Sequence, residues 1–134
     1  MDWKLAAAVL GSGIVASFTD WYFMGVLFRA HYKKYPETWW PIAGKKDEFR
    51  PILYSTALGF ITAAGVIALC VMMGANDFRS ALTVAAIAWA AGPLVVSVTN
   101  GFWIRIDPLV TLAHCLGYLV RFLIAGIAAA IALG

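Results

Sequence analysis

The sequence predicts an all-α fold: an integral membrane four-helix transmembrane bundle with its N-terminus and C-terminus both outside the cytoplasm. Composition is the first ground. Of 134 residues, 63% are hydrophobic and only 13% charged, with a mean hydropathy of +0.83; a water-soluble domain carries about a quarter charged residues. Length is the second ground, because four apolar stretches reach the roughly twenty residues that a helix needs to cross a bilayer. Charge placement is the third. Arg29, Lys33, Lys34, Lys45, Lys46, Arg50 and Arg105 fall in the first and third connections, against only Lys4 and Arg79 on the other side. Short connections rich in Lys and Arg stay in the cytoplasm, which orients the bundle. The net charge of +3 is thus a topology signal and implies no nucleic-acid partner.

The elements follow in order, and residues 1–134 form a single transmembrane domain. Met1 to Lys4 before an apolar run resembles a secretory signal. However, Asp2 opposes Lys4 and the run continues through Trp21-Tyr22-Phe23, so this segment is expected to remain as a span over about 5–28. The second span covers about 51–74, with Pro51 suited to a helix's first turn. The third covers about 81–104, after the turn and cap residues Asn76, Asp77 and Ser80. The fourth covers about 108–133. Short second and third connections make consecutive helices antiparallel neighbours.

Small residues recur at helical spacing: Gly13, Ala16 and Ser17; Ser55, Gly59 and Thr62; Gly126 and Ala130. In lipid such residues let backbones approach, so they argue for tight packing or for a homodimer. The cytoplasmic loop 29–50 sets Trp39 and Trp40 between Pro36 and Pro41, with Tyr32, Tyr35, Lys33 and Lys34 nearby. Amphipathic rings beside cations suit a membrane interface and anionic lipid headgroups. A docking surface or a lid over a cytoplasmic opening is the sharper reading.

The ionisable residues inside the spans carry the chemistry. Asp107, His114 and Arg121 stand seven apart and nearly in line on the fourth helix, flanked by Thr111, Gly117 and Tyr118. Asp20 lies roughly 12 Å and His114 roughly 9 Å from the cytoplasmic end, nearly level, while Arg121 is about 20 Å in. A charge at mid-membrane costs about 2.5–3.5 kcal/mol, so pairing is the expected remedy. The expected cluster is Asp20, His114 and Arg121, with Asn100, Ser97 and Tyr118 as hydrogen-bond partners. Two readings stay open. One is a buried ion pair that sets helix register; the other is a proton site at Asp20 beside an anion or carboxylate site at Arg121.

Pro93 in mid-helix frees the Trp89 carbonyl and should kink the third span, with Trp89, Pro93, Ser97 and Asn100 on one face. Cys70 and Cys115 are about 18 Å apart in depth and cannot form a disulfide. Neither the cysteines nor His31 and His114 have a metal spacing, and no phosphate loop or nucleophile elbow is present. No cofactor, metal site or catalytic motif is therefore expected.

Two functions compete. The first is a small transporter, proton-linked or anion-binding, that holds a small polar or anionic solute at the intramembrane Asp-His-Arg cluster and works as a homodimer. The second is a non-catalytic membrane subunit that binds lipid or docks a partner through the aromatic basic loop.

Trp21-Tyr22 followed by Leu27-Phe28, Asn100 before a short Arg-containing loop, and His114 with Gly117-Tyr118 form a recognisable pattern. In these residues the chain resembles the small four-span bacterial membrane proteins grouped as domain of unknown function 1761. The resemblance covers most of the chain; Asp20 before the Trp-Tyr pair and Met24 after it depart from the pattern. It implies a multi-pass protein of the bacterial inner membrane and assigns no activity.

Overall fold

The computed structural model describes residues 2–39 and 45–134, which are all-helical. Four helices are long and apolar enough to cross a membrane: Trp3–Leu27, Glu48–Met72, Phe78–Trp103 and Pro108–Leu133. The first begins as α1 (Trp3–Asp20), capped by the Asp2 side chain accepting from the Lys4 amide. Directly after Asp20 it widens into a π-helical run, Trp21–Leu27. The chain bends at Phe28 into the short α2 (Arg29–Tyr32) and then a 3-10 turn, Pro36–Thr38.

The second span is α3 (Lys45–Met72), and it corrects one expectation. Pro51 does not sit in the first turn but inside the helix. Polar Lys45, Lys46 and Glu48 are good helix formers, so the helix outruns its apolar part. The end of α3 is a Schellman motif: Ala75 N–H donates to the Cys70 carbonyl at 2.9 Å and Gly74 N–H to Val71 at 3.2 Å. Gly74 adopts φ +65°, which a residue with Cβ takes up only with strain.

Asp77 then caps α4 (Phe78–Trp89) in a reciprocal box with Ser80, whose hydroxyl and amide hold the Asp77 carboxyl below its usual range. Pro93 is accommodated as expected of a residue that cannot donate. The helix opens into a wide turn over Ala90–Leu94 and continues as α5 (Val95–Trp103). The fourth span is α6 (Pro108–Leu133), with Pro108 at its first position and Asp107 as its cap.

α6 is the centre of the bundle and packs on α1, α3 and α4. The core there is built from alanines: Ala63, Ala81, Ala85, Ala113, Ala125 and Ala129 are all buried. A Cβ on Gly126 would lie 3.1 Å from the Ala81 carbonyl oxygen, and one on Gly13 would run into the Phe60 ring. The small-residue faces are therefore used for close packing within the chain. Gly134 lies beside Asn76, and Tyr35 beside Arg105, so the termini share one end with the second connection, and the first and third connections share the other. Exposed Trp3 stands at the first end and Trp103, 84% exposed, at the second. Amphipathic rings occupy such positions at membrane boundaries.

Candidate functional site

Inside the four spans, away from their ends, the charged residues are Asp20 and Arg121. They meet. Asp20 is the last residue of α1 before the π-helical run, Arg121 points from the middle of α6, and an Arg121 amino group pairs with Asp20 Oδ2. The two side chains are only 9% and 15% exposed for Arg121 and Asp20. Glycines make room for both. A Cβ on Gly59 of α3 would sit 3.3 Å from the guanidinium carbon and from both terminal nitrogens, and one on Gly117 of α6 would sit 3.7 Å from Asp20 Oδ1. The Tyr118 ring completes the seat, with the guanidinium 5.7 Å from its centroid. Arg121 Nε is buried and has no hydrogen-bond partner among the described residues.

The pair is not sealed. It forms part of the wall of a 310 Å³ cavity between the end of the first span and α3. Ser17, Ser55 and Thr56 line it with hydroxyls, and Trp21, Met24 and Ile52 with apolar surface. Ser17 and Ser55 donate their protons to helical carbonyls four residues back, at 2.8 and 2.7 Å, so their oxygens keep lone pairs to offer.

His114 does not join this cluster, which corrects the expected trio. Asp20 Oδ1 is level with Gly117, about one turn deeper than His114. The reason lies after Asp20: the chain bends at Phe28 and turns Tyr32 back onto His114, with ring centroids 5.7 Å apart. His114 also meets Tyr118 at 6.5 Å, so the Tyr118 ring neighbours both the histidine and the arginine. Asn100 is a second correction. It is exposed, about 60° round the helix from buried Ser97, and neither side chain bonds to the pair among the described residues. The widened turn around Pro93 is tied down instead by Trp89, whose indole N–H donates to the Cys115 carbonyl at 2.9 Å. Cys70 and Cys115 are buried free thiols.

The first connection is fastened to the start of α6. Asp107 Oδ1 accepts from the Leu109 amide at 2.9 Å, while Oδ2 meets His31 Nδ1 and Lys34 Nζ, each at 3.1 Å. The Leu109 amide first, and then His31 and Lys34, hold the Asp107 carboxyl at about 2. Lys34 is raised in turn by its hydrogen bond to Asp107. Thr38 Oγ1 donates to the Arg105 carbonyl at 2.6 Å, and the Arg105 guanidinium lies 4.6 Å from the Tyr35 ring centroid. Behind this fastening Tyr32 packs between Trp39, at 5.3 Å, and His114. Its buried hydroxyl has no partner among the described residues, and burial pushes the phenol up. Lys33 is exposed, Trp39 partly so, and Trp40 lies outside the described residues.

Sequence reasoning missed His31 and Tyr32, whose partners lie 76 and 82 positions away, and no local signal points to either. Gly59 and Gly117 were visible as small residues, but not as seats for a charge. Among the described residues, no group of three His, Cys, Asp or Glu side chains could hold a metal ion. The described residues thus define an all-helical fold with four helices of membrane-crossing length around the interior Asp20–Arg121 ion pair. Comparison of the chain with protein-family models, curated proteins and solved structures yields no match.

Proposed function

We propose that this chain is a small multi-pass carrier that takes up a polar or anionic solute at the Asp20–Arg121 pair. One observation supports this above the rest: the interior ion pair walls a 310 Å³ cavity instead of being enclosed by side chains. An ion pair serving only to fix helix register gains nothing from a cavity, because empty space forfeits contacts on one side. Ionisable residues within membrane spans commonly mark solute or ion paths. In this reading His114, Tyr118 and Tyr32 form the wall between the pair and the loop end.

The loop end faces the cytoplasm, by the excess of Lys and Arg there, and both termini lie outside it. The membrane is the bacterial inner membrane and the family is that of domain of unknown function 1761, both resting on the resemblance already described. Four helices give a thin wall, so a homodimer closes the cavity's open side. Reconstituted vesicles test the proposal: wild type should admit small polar solutes that Arg121→Met excludes. Equal permeation by the two, with Arg121→Met folded, rules the carrier out.

The second reading is a lipid-binding or partner-docking subunit. Arg29, Lys33 and Trp39 all stand exposed on a connection fastened to α6, and such a basic and aromatic segment suits anionic headgroups. Loss of binding to anionic but not neutral vesicles' headgroups in Lys33→Gln with Arg29→Gln would favour it.

A further inference from the structure

Charge balance at this site says what kind of solute fits. The class of solute rests on the carrier reading above. Asp20 and Arg121 are the ionisable side chains lining the cavity, and together they are neutral. From α6, Asp20 faces Arg121, with Tyr118 beside the guanidinium, and Gly117; from α3 the hydroxyls of Ser55 and Thr56 share its cavity; from its own helix Ser17 does. Among the described residues that line the cavity, no second cation is there to receive a second anion. Of the other titratable groups on this part of α6, Cys115 is buried, and His114 is engaged with Tyr32 and with Tyr118.

An anion arriving on Arg121 while Asp20 is ionised would leave one net negative charge in the apolar interior, where an uncompensated charge is costly. One proton added to a carboxylate oxygen of Asp20 removes that charge and also releases the guanidinium from its internal partner. The Asp20 carboxylate itself shows which chemistry the guanidinium accepts in this position. Nε, buried and unpartnered among the described residues, is a guanidinium donor that Asp20 leaves unused, and a guanidinium can bind a carboxylate through two parallel N–H donors. The cavity lies at the small end of the range for ligand sites, about 300–1,000 Å³, and Trp21, Met24 and Ile52 offer apolar surface to a short alkyl group.

We infer that the Asp20–Arg121 site binds a short-chain organic monocarboxylate together with one proton, as a neutral unit. The balance is complete: one anion and one proton enter, the Asp20–Arg121 pair opens, and protonated Asp20 stands beside an Arg121–carboxylate pair. A dianion would leave the interior negative and is rejected.

The test uses the full-length protein in nanodiscs, with acetate, butyrate, nitrate and succinate as probes. Binding is followed by calorimetry, and proton uptake by an indicator dye in weakly buffered solution. Acetate or butyrate should bind with one proton taken up per anion, and wherever that stoichiometry holds affinity should fall about tenfold per unit rise in pH. Asp20→Asn, which mimics the protonated acid, should bind butyrate without proton uptake and without that pH dependence. The wild-type stoichiometry decides the matter even if that variant does not fold. Binding with no proton uptake, or succinate or nitrate preferred to butyrate, overturns the inference and leaves the carrier reading standing. No binding of any probe, together with no solute uptake in vesicles, overturns both.

Discussion

Arg121 of α6 meets the carboxylate of Asp20 of α1 above two glycines, Gly59 and Gly117, that leave the space both side chains occupy. Removing one partner strands the other charge in a buried, apolar setting. Asp20→Leu and Arg121→Leu should therefore each cost about 3–5 kcal/mol, while the double variant should recover most of that loss. Thermal unfolding in detergent on the two singles and the double measures it. A double variant as unstable as the worse single would show that the pair does not act as one unit.

The glycine seats make a graded prediction. Gly59→Ala puts a methyl 3.3 Å from three guanidinium atoms, so Arg121 must shift, at a cost of about 1–3 kcal/mol. Gly117→Ala makes an ordinary 3.7 Å contact and should be mild. Gly11→Ala meets nothing within 4 Å and gains about 1 kcal/mol of helix propensity. The order of melting temperatures is the readout, with Gly59→Ala lowest and Gly11→Ala highest.

The fastening of the first connection has a pH window with two edges. Asp107 is depressed to about 2, so its contribution is complete above about pH 4 and is lost as pH falls through about 2. Lys34 is raised, so its contribution is complete below about pH 10 and is lost as pH rises beyond that. Protection from hydrogen exchange across residues 29–39, taken relative to the intrinsic rate at each pH, should be greatest between those limits. Asp107→Asn, which still caps α6, should speed exchange in the same segment throughout the window.

Trp89 ties the widened turn of the third span to α6. Trp89→Phe keeps an aromatic ring, though a smaller one, and removes the N–H, so stability should fall by about 1 kcal/mol for the lost hydrogen bond. Unchanged melting in that variant would place the turn's support elsewhere.

The class of fold was legible in the chain because it depends on quantities that add along the sequence. Twenty apolar residues cross a bilayer whatever their neighbours do; the boundaries of the third span moved by only a few residues and those of the fourth not at all. Asp20 and Arg121 were legible as partners for the same reason: a buried charge demands an opposite one, and the two spans hold one of each. Helix ends were less so. Pro51 reads as a first turn, yet the good helix formers upstream carry α3 past it.

The membership of the site was decided in three dimensions. Depth counted from the ends of the spans put His114 level with Asp20, but a bend at Phe28 sent Tyr32 against His114, and Asp20 came to rest beside Gly117. Asn100 sits in the expected helix on the wrong side of it. The sequence by itself determined the four apolar helices and the need for an interior ion pair, since hydrophobic length and charge neutrality are local or additive demands. Tertiary structure alone decided which face of each helix turns inward, because that rests on packing between residues as much as 101 positions apart, as Asp20 and Arg121 are.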